Sequence, residues 1–239
     1  MTDDTRDLPG TGWTAGQMSR VAAPLRDQVS SVLRKAIVER QLQPGQRLVE
    51  RELTEQLQVS RATVRESLRE LQAEGLVTVI PQRGAVVASI SQQEAADIYE
   101  ARAAMESIIV RRFVERASDA HIGKLASTLD PLRQAIEAGQ PVGELLACKD
   151  RFYAVLIDGA DSPILAALLS SLQARVSLLR ATSLTHGGRP AEMLKELQTL
   201  VRAISARDSD EAARLCAEHV RNAGRTGMAE LALQPAVPA

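Results

Sequence analysis

The chain is poor in the residues on which most catalytic chemistry depends. Its 239 residues include three histidines and two cysteines, and aromatics make up only 2%. Cys148 and Cys216 stand far apart in helical patterns and form no Cys-x-x-Cys pair, so they read as small buried residues without a redox or metal role. There is no Gly-rich phosphate loop, no His-Glu-x-x-His, no pair of metal carboxylates and no nucleophile with its own base. These absences argue against an enzyme. No run approaches ~18 consecutive apolar residues, the length a membrane helix needs. The acidic start Met1-Thr2-Asp3-Asp4 lacks the basic stretch and apolar segment of a secretion signal, so the sequence predicts a cytoplasmic protein. A net charge of −1 excludes a uniformly basic nucleic-acid binder, although the charge is unevenly spread.

What is present suits a folded, mainly α protein. Hydrophobic residues are 45% and charged residues 25%, with Leu, Ala, Val, Arg and Glu plentiful. The length exceeds the usual ~100 to 200 residues of one domain, so two domains are expected. Residues 1–19, with Pro9-Gly10-Thr11-Gly12 and no periodic apolar face, read as a flexible arm. Residues 20–89 form a first domain, 90–229 a second, and 230–239 a flexible tail. The first domain holds 11 basic against 8 acidic residues.

Within that first domain, Leu25, Val29, Val32, Leu33, Ile37 and Val38 keep to one helical face until Gln43-Pro44-Gly45 turns the chain. A short helix follows from Arg51 to Gln58. A third begins at Ser60, a natural N-cap, carries Val64, Leu68 and Leu71 on one face, and ends at Gly75. The period then changes to that of short strands: Leu76 to Ile80, a turn Pro81-Gln82-Arg83-Gly84, and Ala85 to Ser89. Three helices and a hairpin make a winged helix-turn-helix. Arg61, Arg65 and Arg69 stack along the third helix, while Ser60, Ala62 and Thr63 keep its start lean, so this helix suits the major groove. Arg51 can reach the same groove, and Arg83-Gly84 at the hairpin tip suits the minor groove or a phosphate. Solvated ion pairs, such as Glu66 with Arg69, are the plain alternative for any one arginine. The conjunction of turn, cap, arginine stripe and arginine-tipped hairpin favours DNA. One short helix reads few base pairs, so a homodimer on a short near-palindromic operator is expected.

The segments Pro44-Gly45-Gln46-Arg47-Leu48, Glu50-Arg51-Glu52-Leu53, Val59 to Leu68, Glu74-Gly75-Leu76-Val77 and Arg83-Gly84-Ala85 resemble the GntR winged helix-turn-helix. The resemblance implies that Arg51, Ser60, Arg61, Ala62, Arg65 and Gly84 stand where that family contacts DNA. Many members have Thr-Pro where this chain has Ala62-Thr63. The second domain reads as an antiparallel bundle of about six helices: from the capping box Ser91-Gln92-Gln93-Glu94 to Ala117, from Ser118 to Ala138, from Val142 to Ile157, from Pro163 to Ser183, from Pro190 to Ala206, and from Ser209 to Met228.

This half resembles the FCD-type effector domain of FadR-subfamily regulators through Ile98-Tyr99-Glu100-Ala101-Arg102 with Glu106, Arg151-Phe152-Tyr153, Asp161-Ser162-Pro163, and Arg207-Asp208 with His219. The resemblance implies effector binding and dimerisation. It also implies, for many members, a metal held by an Asp and a His one helical turn apart and by two further His. Those positions here are Lys149, Tyr153, Leu197 and His219, and only the last is a ligand type, so neither a metal nor another cofactor is expected. Arg102, Tyr153, Arg175 and His219 are the candidate effector residues, suited to a small acidic metabolite. Arg102 could instead pair with Glu106 one turn on, and His219 could be a satisfied core histidine. The expected function is a transcriptional repressor controlled by such a metabolite. The other readings are a DNA-binding protein whose bundle only dimerises, and a helical enzyme carrying a DNA-binding module.

Overall fold

A computed structural model of the protein describes residues 24–184 and 186–232. The expected arm at 1–19 and the last seven residues of the expected tail lie outside this range. The first domain contains α1 (Leu25–Val38), α2 (Glu50–Leu57), α3 (Arg61–Ala73), β1 (Val77–Ile80) and β2 (Gly84–Val87), in the order expected. Its core is Val29, Leu33 and Ile37 of α1 against Leu53, Val64, Leu68, Leu71, Leu76, Val77 and Val87. The apolar face of α1 is narrower than its sequence suggested, because Leu25 and Val32 are more than half exposed. Two serines close the α1–α3 seam instead. Buried Ser30 donates to Glu70 at 2.8 Å, and buried Ser67 donates to the Arg26 carbonyl at 3.0 Å. Arg34 forks onto Glu74 along the same seam.

Gly75 ends α3 with φ +77, a left-handed conformation that an L side chain enters only with strain. The Leu76 amide then donates to the Leu71 carbonyl, which aims the chain into β1. The hairpin pairs Val77 with Val87 and Ile80 with Gly84. A two-stranded ribbon is marginal alone. It is held here by the segment before α2, where Arg47 bridges Val86 and the Leu48 amide donates to the Ala85 carbonyl at 2.8 Å.

The second domain is helical throughout: α4 (Gln92–Arg116), α5 (Asp119–Ser127), α6 (Leu129–Glu137), α7 (Val142–Ala160), α8 (Pro163–Ser171), α9 (Gln173–Leu184), α10 (Arg189–Ser205) and α11 (Ser209–Ala232). The capping box at Ser91 and Glu94 forms in both directions, and Ser118 caps α5. Two of the six expected helices are broken. Pro131 cannot donate an amide bond across the α5–α6 junction, which accounts for the first break; no proline or glycine marks the second, at Leu172. α11 runs to Ala232, three residues into the expected tail. The bundle core gathers Phe113, Leu125, Leu132, Phe152, Leu156, Leu197 and Ile204. Arg207 donates to the Val114 and Ala117 carbonyls at 2.8 and 2.7 Å, closing the C-terminus of α4 from the α10–α11 turn. Cys148 and Cys216 are free and buried.

Two glycines set packing against helix propensity, and only one of them is crowded. Replacing a mid-helix glycine by alanine gains about 1 kcal/mol in propensity. A Cβ on Gly159 would run into the ring edge of Phe113, whose Cδ2 would lie 2.7 Å away, whereas one on Gly123 meets nothing within 4 Å. Overpacking costs about 1 to 3 kcal/mol. Gly159→Ala should therefore lower the melting temperature while Gly123→Ala raises it or leaves it unchanged. Calorimetry that finds both variants equally stabilised would contradict the tight α4–α7 contact.

Candidate functional site

The end of α3 nearest α2 is built by one cap and one tight turn. Gln58 closes α2 in the left-handed region at φ +55, and the Ser60 hydroxyl accepts the Thr63 amide at 3.1 Å. This leaves Arg61, Ala62 and Arg65 exposed and Thr63 half-buried. Arg65 forks onto Glu50 at the head of α2, with Nη2 to Oε2 at 3.1 Å and Nε to Oε1 at 3.3 Å. Both side chains are well exposed, so the pair contributes little stability, but it aims the guanidinium along the outer face. Arg51 is exposed beside Glu50. Arg83 and Gly84 lie at the tip of the hairpin, where Gln82 and Gly84 take φ +64 and +80. A Cβ on Gly84 would meet nothing within 4 Å, so the backbone angle, not crowding, calls for glycine.

The second cluster lies inside the bundle. Arg102 and Glu106, one turn apart on α4, are both fully buried and joined by a 2.9 Å bond from Nε to Oε1. Arg180 of α9, also buried, brings Nη2 to 3.8 Å from the same oxygen and Nη1 to 3.4 Å from half-exposed Asp150. Its guanidinium lies over the Tyr153 ring at 4.0 Å. Lys149 of α7 is 3% exposed and forms no ion pair among the described residues. A second layer is closed on itself. Glu196 of α10 accepts two bonds from Arg189 at 2.8 Å, one from Asn222 at 2.7 Å and one from His219 Nδ1 at 2.6 Å.

Charge and burial oppose each other throughout this cluster. Burial alone would raise the Glu106 carboxyl, but Arg102 and Arg180 outweigh it and hold the group below its usual range. Burial, together with Arg180 and Arg102, presses Lys149 well below the usual lysine value against the pull of Glu106. Burial also lowers His219 to about 4, despite its bond to Glu196. Neutral His219 donating through Nδ1 leaves Nε2 as an acceptor. Among the described residues, five buried atoms of the cluster lack a partner within hydrogen-bond geometry: Arg102 Nη1 and Nη2, Arg180 Nε, Glu106 Oε2 and His219 Nε2; the Tyr153 hydroxyl lies near enough to help hold the Glu106 carboxyl down.

Of the four residues expected at an effector site, Arg102, Tyr153 and His219 come together in this cluster. Arg175 does not. It is exposed, and a Cβ on Gly75 would lie 2.5 Å from its Nε, so it stands against the winged helix. The reason is helical phase: five residues separate it from Arg180, or about 140° around the axis. Arg180, Arg189 and Glu196 escaped sequence reasoning. A lone arginine among Val176, Leu178, Leu179 and Ala181 was a signal, as was a cation at the start of α10, where the helix dipole disfavours it. Thr182, on the same helix as Arg175 and Arg180, accepts from Arg40 at the end of α1 at 2.8 Å. α9 thus touches both the buried cluster and the DNA-binding domain.

The four positions where many FCD domains hold a metal do not fit one here. Lys149 would repel a cation, buried Leu197 offers no donor, and Tyr153 is covered by the Arg180 guanidinium. Among the described residues no group of three or more His, Cys, Asp or Glu could hold a metal ion.

Comparison with known proteins accounts for both halves. Residues 25–87 match the family described as bacterial regulatory proteins, gntR family, and residues 97–222 match the FCD domain. The HTH-type transcriptional repressor RspR of Escherichia coli is 29% identical over 198 residues, covering 83% of this chain and 86% of that one. The repressor GlaR of the same organism is 31% identical over 195 residues, covering 79% and 89%. The solved structure of E. coli McbR/YncC superimposes with a TM-score of 0.70 at 25% identity, covering 84% and 95%. These relatives are transcriptional regulators, not enzymes. The chain therefore belongs to the gntR family of bacterial regulatory proteins, as a transcriptional regulator that carries an FCD domain.

Proposed function

We propose that the protein is a homodimeric, cytoplasmic repressor that holds a short near-palindromic operator through α3 and the wing, and releases it when a small acidic molecule enters the bundle. The observation that carries the effector half is the set of unpartnered cationic donors buried around Glu106. A repressor role is supported by relatives named as transcriptional repressors. Release requires the effector to bind the operator-free arrangement more tightly than the operator-bound one, since it acts only through that difference in affinity. α9 offers a route between them, because Arg180 faces the cluster while Arg175 and Thr182 face the winged helix.

DNA contact is assigned to Arg51, Ser60, Arg61, Ala62, Thr63 and Arg65 at the α2–α3 corner and to Arg83 and Gly84 at the wing tip. Base-edge contacts of an arginine are worth about 1 to 3 kcal/mol of discrimination. Arg61→Ala and Arg65→Ala should each weaken operator binding by that amount in gel shifts at fixed salt, with the circular dichroism unchanged. Unchanged affinity in both would overturn the assignment of α3.

Pairing of two copies is supported by exposed Ile108, Ile164 and Leu168, which lie on α4 and α8, neighbours joined by the Arg112–Ser162 bond. Light scattering at micromolar concentration should give twice the chain mass, and Ile164→Glu with Leu168→Glu should shift it toward one. A wild-type chain that stays single on its operator would contradict the dimer.

A further inference from the structure

We propose that the end of α1 docks the winged helix on the bundle, with Glu39 seated over Gly143 and Arg40 on Thr182, and that this dock sets the half-site spacing the protein accepts in its operator. The spacing role rests on the dimeric, operator-binding reading above; the dock itself does not.

The covalent link between the two domains is the short stretch from Ala88 to Ser91, between β2 and α4. Such a link fixes position more than orientation, and relative motion is the default between domains without a large apolar interface. The last residues of α1 supply a second attachment. Val38 leaves the face that Val29, Leu33 and Ile37 turn to the winged-helix core and packs against the core of the bundle. The Glu39 carboxylate, flanked by Lys35 at 3.8 Å, lies against the first turn of α7. A Cβ on Gly143 would overlap Glu39 Oε1 and lie 3.1 Å from Cδ. The α7 N-cap, Pro141, makes no side-chain cap bond, so the carboxylate meets the open positive end of a long helix. Arg40 takes φ +59, an uncommon conformation for a residue with a side chain, and donates from it to Thr182 of α9 at 2.8 Å. Burial works against its guanidinium, and the attraction of Glu230 on α11 offsets part of that. Arg175 of α9 stands against Gly75 at the far end of α3.

These contacts leave the reading surface free. Arg61, Ala62 and Arg65 are exposed at the start of α3, whereas the bundle touches its end. The two ends are about 20 Å apart, at ~1.5 Å per residue. A swing of ~20° about the dock would carry the reading end about 7 Å, or roughly two base-pair steps of ~3.4 Å. A closed dock therefore holds the recognition helices of a dimer to one half-site spacing, and an open dock admits several. Each contact is modest alone, a hydrogen bond or a charge at a helix end, so one well-placed substitution opens the dock.

A Cβ alone asks only for a swing of the Glu39 carboxylate, so the test uses Gly143→Glu. It sets a second carboxylate against Glu39 while giving α7 an acidic residue where its start favours one. Adding Glu39→Lys to that chain restores the attraction. Calorimetry of the full-length protein should give one unfolding transition for wild type, two for Gly143→Glu and one again for the double variant. Gel shifts then use an operator selected from a random DNA pool, with its spacer lengthened or shortened by one and two base pairs. Wild type should lose about 10-fold or more at the two-base-pair changes and Gly143→Glu less than about 3-fold, with binding to a single half-site unchanged. The double variant should regain the wild-type preference. Should Gly143→Glu fail to fold, Thr182→Val carries the same comparison from the other side of the dock. Two transitions in wild type, or one in Gly143→Glu with its spacing preference intact, would overturn the dock. Two transitions in Gly143→Glu with the preference intact would overturn the spacing role alone. A wild type that binds one half-site as tightly as two would overturn the dimer reading and the spacing role with it, while a single wild-type transition that Gly143→Glu splits would still support the dock.

Discussion

The polar centre of the C-terminal domain is organised by the ion pair between Arg102 and Glu106, two fully buried charges one turn apart on α4. A charged pair of this kind tolerates burial only when its remaining donors and acceptors are met by neighbours of suitable polarity. α7 contributes Lys149 and Tyr153, α9 contributes Arg180, and α11 contributes His219, so four helices meet around one polar centre. The apolar core of Phe113, Leu125, Leu132, Leu156 and Leu197 lies around it and supplies the burial that holds the helices together. The cluster is thus supported by the fold more than it supports the fold. Its unpartnered atoms are the observation on which the proposed effector site rests.

How far the sequence revealed this depends on whether a signal is local. The winged helix-turn-helix was legible almost residue by residue, because its determinants act over a few positions: the Ser60 cap, the left-handed Gly75, the turn at Pro81 to Gly84. The width of the α1 face was misjudged at Leu25 and Val32, since a helix can place apolar residues on its flank and close the seam with Ser30 and Ser67. In the bundle, the reading ran both broken helices unbroken: the break before Pro131 had a local signal that was passed over, and the one at Leu172 had none. The site was only half legible. Arg102, Tyr153 and His219 came from the family resemblance, whereas Arg180 and Glu196 acquire their roles from helices distant in sequence. Arg175 was misplaced because the expected continuous helix gave no reason to prefer one phase over another.

The two domains are joined physically at α9, and this limits what an effector can do. In the proposed reading, an effector that engages Arg180 acts on the same helix that presents Thr182 to Arg40 and Arg175 to Gly75. A coupling of about 1 to 3 kcal/mol, the usual size for allosteric effects, needs only a small change in those contacts. Side-chain repacking along one helix is enough for that, without any unfolding of the bundle.

The central claim is that the buried charges are retained for a ligand and not for stability. Urea unfolding of the quadruple variant Arg102→Met, Glu106→Leu, Lys149→Met, Arg180→Met tests it most directly. Replacing a buried ion cluster by apolar residues of similar volume is often neutral or stabilising by about 1 to 4 kcal/mol. The account predicts a folded, operator-binding protein at least as stable as wild type. A variant that loses several kcal/mol of stability or fails to fold would contradict it, and would make the cluster a structural keystone instead.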